Sequence, residues 1–163
     1  MRQGLTAYRA TGGEAHVPKF LSLLAEAYGK VGQAEEGLTV LAEALAMVNK
    51  NGERVWKAEL YRLKGELSLQ LKQVETSQDK SEVKTNPEAE AEECFCKAIE
   101  IARRQSAKAW ELRAVMSLSR LWQRQGKKAE ARQLLMEIYN WFTEGFDTKD
   151  LQEAKALLEE LSH

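Results

Sequence analysis

The chain offers little material for covalent or metal chemistry. Its 163 residues include two cysteines and two histidines. Cys94 and Cys96 stand as C-x-C inside a run with helical periodicity. Residues two apart on a helix face roughly opposite ways, so this pair cannot readily bridge or chelate together. They read as two small helix residues, one of them half-buried. His163 is the terminal residue, where order is least expected. No P-loop, GxSxG, HExxH or CxxC pair occurs in the chain. The expectation is therefore no catalytic residue, no metal site and no cofactor.

Composition sets the broad class. Charged residues make up 30% and the hydrophobic set 44%, with a net charge of −1. That is an ordinary globular balance, with no bulk field to select a charged partner. Only two prolines occur, and the strong helix formers Leu, Ala, Glu, Lys, Arg and Gln dominate. No run of 18 apolar residues is present, so no membrane span is expected. The opening MRQGLTAYRATGG lacks the apolar stretch of a secretory signal. A cytoplasmic location is expected.

The elements are well punctuated. Gly32, Gly52, Gly126 and Gly145 each follow an apolar-periodic run, the usual place for a helix to stop. Asn86-Pro87-Glu88 reads as an N-cap, an N1 proline and a first-turn acid. Asp147 is expected to cap the last helix with Asp150 at N3, and Phe146 and Leu151 to form a hydrophobic staple. The pattern predicts helices over 1–12, 18–31, 34–51, 54–72, 87–105, 108–126, 128–144 and 148–161. No strand-like alternation appears. Residues 73–86, QVETSQDKSEVKTN, are polar and without a period, and read as a solvated loop.

An internal repeat underlies the helices. An offset of 94 maps Leu24, Ala25, Tyr28 and Gly32 onto Leu118, Ser119, Trp122 and Gly126. It also maps Gly37, Leu41 and Ala44 onto Ala131, Leu135 and Ile138. A middle copy starts 40 residues after the first, at Lys64-Gly65, but its second half, Ala91, Phe95 and Ala98, lies 54 after. The difference of 14 equals the polar loop, so three copies of one 40-residue unit are expected, the middle one interrupted. Trp56 and Trp110 mark the starts of units two and three, also 54 apart. His16 occupies the matching place before unit one, and reads as a helix-start packing residue rather than a ligand.

At this spacing the residues resemble the tetratricopeptide repeat. Unit one carries the pattern as Leu24, Ala25, Tyr28, Gly32, Gly37, Leu41 and Ala44, and unit three as Leu118, Ser119, Trp122, Gly126, Ala131, Leu135 and Ile138. Unit two keeps Gly65, Ala91, Phe95 and Ala98, with Lys64 in place of the usual Leu. The 40-residue period exceeds the family's roughly 34, so the units are divergent and their helices long. The phrases LLAEAYGKVGQAEEGLTVLAEAL and AEARQLLMEIYNWFTEGFDTKDLQEAKALLEEL are also similar to the C-terminal helical-repeat region of large bacterial signalling ATPases and adenylate-cyclase-like regulators. The resemblance implies an all-α, right-handed α-solenoid of antiparallel helix pairs, with seven or eight helices. It divides one domain into a remnant helix at 1–16, units at 17–53, 54–106 and 107–145, and a capping helix at 146–163. A fragment of a longer regulator, or a short stand-alone relative, is expected.

In that family the first helix of each pair lines a concave binding face. Carried over by register, the face comprises Lys19, Ser22, Leu23, Glu26 and Lys30, then Glu59, Arg62, Leu63, Glu66 and Gln70, then Arg113, Met116, Ser117, Arg120, Gln123 and Arg124. Polar arms around a Leu23, Leu63, Met116 stripe suit an extended peptide or a helix. Residues 103–132 carry nine Lys/Arg against two Glu, whereas 73–93 carry seven Asp/Glu against two Lys. Arg113, Arg120 and Arg124, spaced along one helix, are therefore expected to receive an acidic partner segment. The resulting expectation is a non-catalytic protein-interaction scaffold in a bacterial signalling or transcriptional regulator. Self-association through an unpaired N-terminal edge is the alternative. Nucleic-acid binding by the basic third unit is less expected, because no recognition-helix motif accompanies the charge.

Overall fold

Apolar stripes at helical spacing leave each helix one face to bury, and the chain does this by folding back on itself repeatedly. The computed structural model describes residues 16–75 and 86–163. Among them are seven helices and no strand: α1 Val17–Lys30, α2 Ala34–Asn51, α3 Lys57–Glu75, α4 Pro87–Arg104, α5 Lys108–Arg124, α6 Lys128–Tyr139 and α7 Lys149–Ser162. The helix expected over 1–12 and most of the expected loop lie outside the described residues. Each helix packs on its sequence neighbours, and the odd helices α1, α3, α5 and α7 also pack on one another in succession.

The turns repeat as the side chains do. After α1, Gln33 N donates to Tyr28 O (2.9 Å), Gly32 N to Gly29 O (3.1 Å) and Val31 N to Ala27 O (3.3 Å). After α5 the same three bonds recur 94 residues on: Lys127 to Trp122 (2.8 Å), Gly126 to Gln123 (3.1 Å) and Gln125 to Leu121 (3.1 Å). Gly32 and Gly126 sit at φ +76° and +81°, the left-handed position that closes such a C-cap. The α4–α5 turn repeats this scheme, with Ala107 N bonded to Ala102 O (2.9 Å). There the left-handed residue is Ser106, at φ 53°.

Many positions equated by the offsets are buried, whereas Gly32 and Gly126 are exposed and Tyr28, Lys64 and Trp122 half-buried. Ala25, Ala44, Phe95, Ala98, Ser119, Ala131 and Leu135 are all sealed from solvent. Close approach explains the small residues among them. A Cβ on Gly37 would meet Leu67 Cδ1 at 2.7 Å and Ala25 O at 3.3 Å, and one on Gly65 would strike the Phe95 ring at 2.6–3.0 Å. The equivalent crossing in unit three is close enough for Ser119 Oγ to donate to Ala131 O at 3.2 Å. The apolar core has two parts. One joins α1 and α2 to Leu60, Leu63 and Leu67 of α3. The other joins Leu69 to α4, α5, α6 and α7.

Several helix bounds depart from expectation: α3 starts at Lys57 rather than 54 and α5 ends at Arg124 rather than 126, and three further ends differ too. First, α3 runs on to Glu75, into the segment read as loop. Second, α6 stops at Tyr139 rather than 144. Trp141 N and Phe142 N turn back onto Ile138 O and Tyr139 O (3.2 and 3.1 Å), and Phe142 packs on the core, so burial of a ring ends a sequence that propensity would extend. Third, the N-cap of α7 is Thr148, not Asp147. Thr148 N and Oγ1 both donate to Gly145 O (2.9 and 2.7 Å), which moves the helix start one residue on. With the cap at Thr148, Phe146 and Leu151 no longer stand at the staple positions; Leu151 is buried, and Phe146 is 46% exposed and faces Tyr139 at 5.8 Å. The Asn86 cap is as expected, its side chain accepting from Glu88 N at 3.2 Å.

Two substitutions test these contacts by thermal or urea denaturation. Gly65→Ala forces a methyl into the buried Phe95 ring and is expected to cost about 1–3 kcal/mol. Ser106→Gly removes about 1–2 kcal/mol of left-handed strain and adds slightly less unfolded-chain entropy, so a net gain of about 0.5–1 kcal/mol is expected.

Candidate interaction face

All sixteen residues singled out by register lie on the odd helices α1, α3 and α5, but not all of them are accessible. Ser22, Glu59, Leu63, Met116 and Ser117 are buried, at 2–4% exposure. The proposed apolar stripe is therefore not a surface. Leu23 is 45% exposed, whereas Leu63 and Met116 belong to the two cores. The cause is the direct packing of successive odd helices, which closes over the middle of each one. Lys19, Lys30, Arg120 and Arg124 stay exposed, and Glu26, Arg62, Glu66, Gln70, Arg113 and Gln123 are half-buried.

Much of the charge on this face is spent internally. Arg62 grips the buried Glu59 carboxylate with two bonds, Nε to Oε2 at 2.8 Å and Nη2 to Oε1 at 2.7 Å. Arg113 on α5 reaches the same Glu59 Oε1 at 3.1 Å and lies 4.0 Å from Asp150 Oδ1 on α7. Arg62 Nη1 lies 3.6 Å from Glu66 Oε1, which accepts from Ser117 Oγ at 2.6 Å. Burial works against the charge of Arg62, but the Glu59 carboxylate outweighs it and holds the guanidinium above its ordinary value. Glu26 is held below the usual carboxylate range, first by its bond from Lys30, 3.0 Å away, against some desolvation.

Trp56 and Trp110, 54 residues apart, meet edge to face at 5.4 Å. Lys19 lies over the Trp56 ring at 5.8 Å and Arg113 over Trp110 at 5.5 Å. The register could have pointed to this contact, because the two tryptophans hold equivalent places. Glu59 and Arg113 stand at the same 54-residue offset, so the register equates their positions too, but nothing in the repeat pattern marks them as a pair.

What remains open is a cleft of about 300 Å³ toward the C-terminal ends of α5 and α7. Glu66, Ser117, Arg120, Gln123 and Arg124 line it with Leu69 and Glu160. Arg120 is 3.4 Å from Glu153, which Lys149 shares at 3.6 Å. Arg124 has no ion-pair partner among the described residues. Of the three arginines expected to act together, Arg113 is thus drawn into the α3–α5 network, and Arg120 and Arg124 face the cleft. Lys30 and Gln70 line a different cleft of about 590 Å³, beside the α1–α2 turn.

The cysteines and histidines gain no new company. Cys94 is buried and Cys96 exposed, and burial raises both thiols above their usual range. Among the described residues no group of three or more His, Cys, Asp or Glu could hold a metal ion. No described helix is long and apolar enough to cross a membrane. No protein-family model matches the chain, and comparison with curated proteins finds no match.

The buried network and the open arginine should respond oppositely to truncation. Glu59→Ala removes the nearest carboxylate from two guanidinium groups, one 12% and one 29% exposed, leaving them the longer contacts to Glu66 and Asp150, and is expected to cost about 3 kcal/mol. Arg124→Ala is expected to leave the unfolding midpoint unchanged. Urea is the suitable denaturant, because guanidinium salt would screen the pairs being measured.

Proposed function

We propose that this chain is a tetratricopeptide-like, right-handed α-solenoid that acts as a non-catalytic scaffold and binds an acidic segment of a protein partner. The recurrence of one hydrogen-bonded turn at an offset of 94 residues supports the repeat reading, as does the succession of odd helices in one layer. The units are 17–53, 54–106 and 107–145, closed by 146–163. The resemblance to bacterial signalling ATPases makes a cytoplasmic signalling or transcriptional regulator the setting that fits.

One observation carries the binding site: Arg124 has no ion-pair partner among the described residues, in a cleft it shares with Arg120 and Gln123. A carboxylate entering there gains charge-assisted bonds that the free protein does not already make. Arg120 can exchange the 3.4 Å contact with Glu153 for a better one, since Glu153 retains Lys149.

A fluorescein-labelled peptide of alternating Asp and Gly tests this by anisotropy, beside its Lys-Gly counterpart and a single-stranded oligonucleotide. The acidic peptide should bind, and Arg120→Ala and Arg124→Ala should each weaken it about 10- to 150-fold, the worth of one charge-assisted hydrogen bond. Acidic-peptide binding that neither Arg120→Ala nor Arg124→Ala weakens would overturn the reading. Tighter, steeply salt-dependent binding of the oligonucleotide would replace it with nucleic-acid recognition by the basic segment 103–132.

A further inference from the structure

The connector between α6 and α7 carries more aromatic surface than packing requires. Trp141 is 58% and Phe146 46% exposed, and Phe142 stands edge to face with Trp141 at 5.2 Å. Beside them opens a mostly apolar socket of about 270 Å³, walled by Leu112, Phe142 and Leu151. An apolar cavity of about 150 Å³ already holds a benzene ring, so this socket admits a phenyl or isobutyl group with room at its mouth. Glu144 and Asp150 are its only charged lining residues.

The charge around the socket is acidic. Glu144 and Asp147 have no ion-pair partner among the described residues, and Asp150 has only the distant Arg113 contact at 4.0 Å. Lys149 is turned to Glu153. The free protein already shows what the Trp141 face accepts: Lys108 Nζ lies 5.7 Å from its ring centroid, although Glu111 holds that same ammonium at 2.8 Å. The connector is also pre-shaped by its backbone bonds at Trp141, Phe142 and Thr148, so a guest orders little on arrival.

We propose that this connector is a docking surface for a partner segment that inserts one Phe or Leu side chain into the socket. A neighbouring Lys or Arg of that segment lies against Trp141 and between Glu144 and Asp147. The surface stands apart from the Arg120–Arg124 cleft and asks for the opposite charge, so neither site depends on the other.

The probe is the peptide Ac-Gly-Lys-Phe-Lys-Gly-NH2, titrated into the ¹⁵N-labelled chain and followed by NMR. Saturable shifts should centre on the Trp141 indole, Leu112, Gly145 and Leu151. Peptides with Glu for Lys, or Ser for Phe, should bind at least about tenfold more weakly, a difference of about 1.4 kcal/mol. Ala109→Phe, made at an exposed position that lines the socket, should abolish the shifts. Glu144→Lys, on the surface and so without folding risk, should weaken them. Absence of connector shifts at millimolar peptide, or equal binding of the Glu peptide, overturns the proposal. So does sedimentation showing that copies of the chain already cover the connector.

Discussion

The architecture depends on how closely two helix backbones can approach at one crossing in each of the pairs α1–α2, α3–α4 and α5–α6. Gly37 on Ala25, Gly65 beneath Phe95 and Ser119 on Ala131 are three solutions to that one constraint. In the first and third, a small residue lets one backbone come near the carbonyl of the next. In the second, the missing Cβ makes room for a ring, and the ring fills what would otherwise be a void. Once the crossing is set, the turn that follows has little freedom, and α1–α2 and α5–α6 close with the same bonds. Successive odd helices are then brought side by side, which buries Leu63 and Met116 and presses Glu59 among two arginines.

The same packing divides the charges into two kinds. Those near the middle of the odd helices are matched across helices, and their removal disturbs the fold. Those near the C-terminal end of α5 lie where neighbouring helices no longer crowd them, and can be offered outward. A basic segment is therefore only partly a basic surface. Arg113 shows the difference: it shares a helix with Arg124, yet it is engaged by Glu59, Asp150 and the Trp110 ring.

Helix class was legible, as were the glycine stops of the two turns 94 residues apart, because glycine stops and small crossing residues act locally and leave residue-type signatures. The Asn86 cap was legible for the same reason. The left-handed residue of the α4–α5 turn was not legible, since Ser106 occupies a place where glycine is the usual signal. The end of α6 and the start of α7 were misplaced because ring burial and the Gly145 turn outweigh local propensity there. Accessibility along the odd helices was not legible. Register assigned sixteen residues to these helices, but which of them close off depends on how successive helix pairs pack on one another, and a pattern within one pair does not encode that.

The two apolar cores meet on α3, with Leu60, Leu63 and Leu67 on one side of the division and Leu69 on the other. Order in one part is thus communicated to the other through a single shared wall. A disturbance confined to α1 and α2 can loosen half of α3 while the half seated against α4 and α5 stays put. Amide exchange in such a chain would fall into two blocks, each with its own opening free energy, and α3 would belong to both.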